Sequence, residues 1–225
     1  ERERERQRQT EQQQQKRQQM GMVGRRGRGE KRRRKRKPER ALSQVQRLRK
    51  TIKEHVFRGR GMSNVVVDRL ARLLCNGGNY KGCYQADRLP LGLAARACFI
   101  VIVNLNPSAA ARQRDGLAHS LDGHFICLIG TAARTYYVDS FGIPSVSPYV
   151  DRFLRACKRP TQFNDRQIQQ FSSAYCARGF YAILFAAYYD NVLNGKMPKF
   201  RLHFPRQNSK SNDKLCLLYL KRLSG

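Results

Sequence analysis

The pattern of apolar and polar positions changes character near residue 62. Before it, few of the first forty residues could fill a core. After it, apolar positions recur at helical spacing over 62–74, in Asn64-Val65-Val66-Val67-Asp68-Arg69-Leu70-Ala71-Arg72-Leu73-Leu74, and Asn76-Gly77-Gly78-Asn79 stops that helix. Residues 83–93 read as an irregular loop around Pro90. Residues 97–105, with Cys98-Phe99-Ile100-Val101-Ile102-Val103, read as a buried strand, and a polar insertion follows over 106–123. Two more apolar strands are expected at 125–129 and 136–138. Their connection, Gly130-Thr131-Ala132-Ala133-Arg134, is short enough for an antiparallel hairpin.

Further on, 150–156 looks like a short helix and 167–170 like another strand. Residues 176–189 form an apolar run too long for a strand and rich in Ala, Leu and aromatic residues, so a buried helix is expected. Ser172 or Ser173 is placed to cap its start, and Asn194-Gly195 ends it. A last helix is expected from about Ser211-Asn212-Asp213 through 215–220. This order of helices and strands predicts a mixed α+β domain, with its central helix packed against a sheet.

Charge sharpens the division. The chain has 225 residues and a net charge of +29. Residues 1–61 carry 23 Lys+Arg against 7 acidic residues, a net +16, while 62–225 carry +13. The first part runs from Glu1-Arg2-Glu3-Arg4-Glu5-Arg6 through Gln12-Gln13-Gln14-Gln15 to Lys31-Arg32-Arg33-Arg34-Lys35-Arg36-Lys37. Its composition predicts a disordered basic tail over 1–61, with a short basic helix at 41–54, ahead of one domain at 62–225. The Lys/Arg cluster reads as a nuclear-import signal or a nucleic-acid arm; the plain alternative is a solvated run without function.

No stretch of eighteen apolar residues and no signal-peptide pattern occurs, so the expectation is an intracellular protein without a membrane partner. Seven Cys, an odd number without a CxxC pair, argue against a zinc site or a full disulfide framework. Cys98, Cys127, Cys157 and Cys216 lie in or beside apolar or helical stretches and are expected to be core residues.

The candidate chemistry is an ordered set of polar residues: His124, Asp139, Gln169 or Gln170, and Cys176. Cys176 is expected at a helix N-terminus, where the dipole and free N–H groups favour a thiolate and can receive an oxyanion. A lone Cys is more often a buried structural residue; the polar loop before it and Arg178 after it shift that balance. His124 precedes a strand, where Phe125 can cover its ring. His119 and His203 are rivals for the base. In an antiparallel hairpin the start of one strand lies beside the end of the next, so His124 and Asp139 can face each other, with Asp139 fixing the tautomer. A glutamine side chain before Cys176 can aim an amide N–H at the same oxyanion. Nucleophile, base, orienter and oxyanion donor are the parts of a cysteine hydrolase.

These residues resemble a known family. Gly123-His124-Phe125, Tyr136-Tyr137-Val138-Asp139-Ser140-Phe141-Gly142 and Gln169-Gln170-Phe171-Ser172-Ser173-Ala174-Tyr175-Cys176 are similar to motifs of the adenovirus-type cysteine protease (adenain) family. That family includes relatives in Polinton/Maverick elements and adintovirus-like viruses, and shares a clan with the SUMO-specific deconjugating proteases. The likeness covers roughly residues 62–190. It implies an adenain-like, papain-related α+β fold with a central helix on a mixed β-sheet. His124 would be base, Asp139 orienter, Gln169 oxyanion donor and Cys176 nucleophile, with Gln170 the donor under the SUMO-protease spacing. Where the family usually has Gly directly after the nucleophile, this chain has Ala177, with Gly179 two further on.

The resemblance further implies a viral or mobile-element endopeptidase, acting as a monomer on capsid precursors at small-residue, Gly-type sites in the host nucleus or virion. No cofactor would be required. Stimulation by DNA and by an activating peptide joined through a disulfide would be expected, though no motif confirms Cys157 as the partner for that peptide. Two other readings stay open: a deconjugating protease for SUMO or a ubiquitin-like modifier, and a non-catalytic nucleic-acid-binding protein with a degenerate protease domain.

Overall fold

Strands that read as unbroken apolar runs need cover on both faces, and that requirement organises the domain. The structure, a computed structural model, describes residues 43, 46, 47, 50, 62–115, 124–169, 179–196, 202–205 and 210–223. Residues Ser43–Gly225 make up one unit. Its elements, in chain order, are α1 (Asn64–Leu74), β1 (Tyr80–Gln85), two 3₁₀ turns (Ala86–Arg88 and Leu91–Leu93), β2 (Phe99–Asn104) and α2 (Ala109–Asp115). Then come β3 (Phe125–Gly130), β4 (Thr135–Val138), α3 (Pro148–Ala156), β5 (Thr161–Phe163), α4 (Phe180–Leu193) and α5 (Lys210–Leu223).

The strands form one mixed sheet in the order β1-β2-β3-β4-β5. β2, β3 and β4 are antiparallel neighbours, and β1 and β5 join the two sides in parallel. Alternate residues of the central strands face opposite layers. Ile100, Ile102, Phe125, Cys127 and Ile129 pack with α1, α4 and α5. Phe99, Val101, Val103, Ile126 and Leu128 pack with α3 and the 3₁₀ turns. α4 is buried continuously from Phe180 to Ala187, as befits a helix enclosed by other elements. The protein is thus α+β, with a central helix against a mixed five-stranded sheet.

Several expectations need correction. Residues 83–85 belong to β1 rather than to a loop. Tyr80-Lys81-Gly82-Cys83-Tyr84-Gln85 has no strong alternation, and its strand exists because β2 supplies a parallel partner from Tyr80↔Ile100 to Gln85↔Asn104. Asp68 on α1 completes the docking by accepting from the Cys83 N–H and the Tyr80 hydroxyl, each at 3.0 Å. The strand expected at 167–170 is irregular backbone through Gln169, and the edge strand is Thr161–Phe163 instead. The polar insertion contains the helix α2.

The central helix starts at Phe180, after Gly179, whose left-handed backbone (φ +63, ψ 14) a continuing helix excludes, and residues 176–178 of the expected helix lie outside the described residues. Cys98 is exposed, one residue ahead of β2, whereas Cys127, Cys157 and Cys216 are buried as expected.

Of the basic helix expected at 41–54, Gln46, Arg47 and Lys50 are helical. Ser43 and Gln46 cap it reciprocally: Ser43 Oγ accepts from the Gln46 N–H at 3.2 Å, and Gln46 Oε1 accepts from the Ser43 N–H at 2.9 Å. The rest of the expected tail lies outside the described residues. Among those described, no helix is long and apolar enough to cross a membrane.

Candidate active site

The β3–β4 hairpin places two polar residues at one end of the sheet. His124 stands immediately before β3 and Asp139 immediately after β4. The ladder's last pair is Cys127 with Val138, so Asp139 lies one residue and His124 three residues beyond it, on the same end. His124 Nε2 and Asp139 Oδ2 are 2.9 Å apart. Both residues are buried, at 3% and 2% exposure, so solvent does not screen their interaction. The antiparallel register therefore brings together the two residues that the sequence spacing paired.

Asp139 is held from all sides. Its Oδ1 accepts from the Phe141 N–H at 2.7 Å, leaving Oδ2 for the imidazole. Asn164 Oδ1 accepts from the Asp139 N–H at 2.6 Å, while Asn164 Nδ2 donates back to the Asp139 carbonyl at 2.5 Å. The ring covering His124 is Phe141, not Phe125. The Phe141 and His124 rings stack with centroids 4.7 Å apart and planes 11° apart. Phe125, the first residue of β3, turns into the core beside α4.

Gln169 reaches the same cluster through Ser140. Its side chain is fully buried. The Ser140 hydroxyl donates to Gln169 Oε1 at 2.7 Å, and the Ser140 carbonyl accepts from the backbone N–H groups of Ile168 and Gln169 at 3.0 and 3.1 Å. With Oε1 engaged by the Ser140 hydroxyl, Nε2 is the donor end of the Gln169 amide. Asn212 on α5 braces this segment from behind, donating to the Ile168 carbonyl at 2.7 Å.

One glycine makes this packing feasible. Gly142 has φ +67, and a Cβ there would stand 2.5 Å from the Arg166 carbonyl carbon and 2.6 Å from the Gln167 nitrogen. Both neighbours are backbone and cannot swing aside. Gly142→Ala is expected to destabilise the protein by about 3 kcal/mol or more, combining left-handed strain with overpacking. Chemical denaturation would measure this, and a change within 0.5 kcal/mol would show that the 166–169 segment yields.

The remaining candidates fall as follows. Gln170, Cys176, Ala177, Arg178, His119 and the capping residues Ser172 and Ser173 lie outside the described residues. Gly179 is packed against the site's own supports: a Cβ on it would lie 3.0 Å from Val67 Cγ2 and 3.4 Å from Phe125 Cδ2. His203 is exposed, its carbonyl accepts from the Tyr219 hydroxyl at 2.7 Å, and it forms no ion pair among the described residues. Burial pushes the thiols of Cys75, Cys83, Cys127, Cys157 and Cys216 up, away from the thiolate. Among the described residues, no group of three or more His, Cys, Asp or Glu could hold a metal ion.

Ser140, Phe141 and Asn164 are supporting residues that sequence reasoning did not assign. Ser140 and Phe141 were within reach, since they follow Asp139 directly. Asn164 had no local signal, because its role arises only where β5 docks beside β4. No protein-family model matches the chain, and no curated protein matches it.

Proposed function

We propose that this protein is a cysteine endopeptidase of the adenain-like kind, with Cys176 as nucleophile, His124 as base, Asp139 as orienter and Gln169 as oxyanion donor. The observation carrying the proposal is the buried 2.9 Å contact between His124 and Asp139, with the Gln169 amide pinned one residue away through Ser140. Chain connectivity adds support. The segment holding Cys176 is anchored on one side at Gln169, behind Asp139, and on the other at Gly179, against Phe125 beside His124. Cys176 is three residues from Gly179, within about 11 Å of it at full extension.

The chemistry follows from which nitrogen is engaged. Asp139 accepts from His124 Nε2–H, so in the neutral ring Nδ1 is the proton acceptor. The Cys176 thiol passes its proton to Nδ1, and the imidazolium is stabilised against Asp139. The thiolate attacks the peptide carbonyl carbon. The resulting oxyanion takes hydrogen bonds from Gln169 Nε2 and the Cys176 backbone N–H. Collapse breaks the C–N bond, with His124 protonating the departing amine. Water then hydrolyses the thioester by the same proton route.

The substrate class of this reading is a capsid precursor cleaved after small residues, in a host nucleus or virion. An electrophilic peptide probe ending in Gly tests it: one thiol, Cys176, should be labelled, and prior unfolding should abolish the labelling. Labelling spread over several cysteines would sink the assignment.

DNA is the proposed second partner, on the strength of the net +29. Neutralising phosphates releases counterions, so the logarithm of affinity should fall linearly with the logarithm of salt concentration. Removing residues 1–61, which carry +16, should flatten that slope while the +13 domain still binds weakly. Fluorescence anisotropy across a salt series would measure both slopes. Equal slopes would show that the tail neutralises no phosphates.

A further inference from the structure

Several cations gather at the C-terminal end of α3. Arg152 and Arg155 on α3, and Lys158 just beyond it, stand three residues apart and are all exposed. None of the three forms an ion pair among the described residues. Lys158 has φ 52, and no other described residue except glycine has a positive φ. Where a helix ends in that conformation the residue is most often glycine; here it is a lysine with an exposed side chain.

Arg159, by contrast, is committed to structure. Its guanidinium donates to the carbonyls of Ala94, Arg96, Ala97 and Thr131 and lies over the Phe99 ring. These bonds draw the segment before β2 and the β3–β4 turn up to the end of α3. Exposed Arg96 and Arg134 thereby come to the same end of the sheet, where Arg134 donates to Gln162 on β5 at 3.4 Å.

Between α3 and β5 is a depression of about 330 Å³. Arg155, Lys158 and Arg159 line it, with Thr161 and Phe163 on the β5 side and Asp151 the one carboxylate in its wall. Phe163 is 41% exposed, on an edge strand, its ring tilted 47° against Tyr137 with centroids 5.3 Å apart. One cation at a helix C-terminus complements the helix dipole. Two exposed cations, Arg155 and Lys158, share this depression with an exposed ring, which exceeds that need.

We propose that this groove binds a single strand of nucleic acid, one base stacked on Phe163 and the flanking phosphates held by Arg155 and Lys158. Stacking on an exposed aromatic ring requires an unpaired base, and cationic walls track the backbone. The proposal rests on the nucleic-acid partner named above and is independent of the peptidase chemistry.

The full chain contains no Trp, so Phe163→Trp introduces its sole indole and reports on this groove even when the basic tail also binds. Adding oligothymidylate should quench that fluorescence by about half or more, whereas an abasic oligomer of equal charge should not. Arg155→Glu with Lys158→Glu in the same background should raise the midpoint of quenching about tenfold and lower its salt slope by about 1.4, the value for two single-strand phosphates. Phe163→Ala, followed by anisotropy of a labelled oligomer, gives a second readout should the indole perturb folding; it should weaken binding measurably. Absence of quenching together with unchanged Phe163→Ala binding overturns the proposal. So does equal quenching by the abasic oligomer, or a response to anionic phospholipid vesicles alone.

Discussion

Asp139→Asn should fold and bind substrate, yet turn over about 10²–10⁴ times more slowly. The reason lies in the two bonds its carboxylate makes. Oδ1 accepts from the Phe141 N–H and Oδ2 accepts from His124 Nε2. An asparagine can satisfy only one of these donors with its oxygen. If the oxygen stays with Phe141, the amide NH₂ faces Nε2 and drives the proton to Nδ1, where the base must be empty. If the amide flips, the Phe141 N–H faces another donor in a buried site, an opposition of about 1–3 kcal/mol. Either arrangement lowers the fraction of competent tautomer and removes the negative charge opposite the imidazolium. Folding should survive, because the Asn164 clamp acts on the backbone of residue 139. Steady-state kinetics would show the loss in kcat with KM little changed. A variant within threefold of the parent kcat would remove Asp139 from the mechanism.

Cys176→Ala should lose all detectable peptidase activity, a fall on the order of 10⁶ in kcat by analogy with removal of a nucleophile in other covalent hydrolases. Single replacements of the other six cysteines by Ser or Ala should leave activity measurable. Five of these have thiols that burial pushes up, so they remain protonated and unreactive near neutral pH. Cys98 is exposed, but it lies ahead of β2, beyond the far end of the β2–β3 ladder from His124. Peptidase assays on the seven variants, with thermal melts to confirm folding, would settle the assignment. Residual cleavage by Cys176→Ala, abolished by replacing Cys98, would transfer the nucleophile and end the proposed mechanism.

The sequence by itself determined the elements whose cause is local. Apolar runs at 97–105 and 125–129 can persist in water only as buried strands, and the five-residue connection at 130–134 leaves an antiparallel hairpin as their neighbour's simplest entry. That register brings residues 124 and 139 together, so the His124–Asp139 pair was legible before any coordinate. Gln169 was singled out, but not how it is held: the Ser140 hydroxyl and carbonyl reach it across 29 residues of chain.

Tertiary structure alone decided what depends on a distant partner. β1 and β5 are weak strands whose hydrogen bonds are completed by β2 and β4, so no period in their own residues announces them. Periodicity carries α4 through Gly179 because it cannot register one residue turning left-handed; Gly179 does so where it meets Val67 and Phe125. Asn164 became the clamp on Asp139, and Phe163 part of the wall of a depression lined by Arg155 and Lys158, only when β5 docked beside β4. Hydrophobic periodicity records how each segment meets water, whereas these features record how segments meet one another.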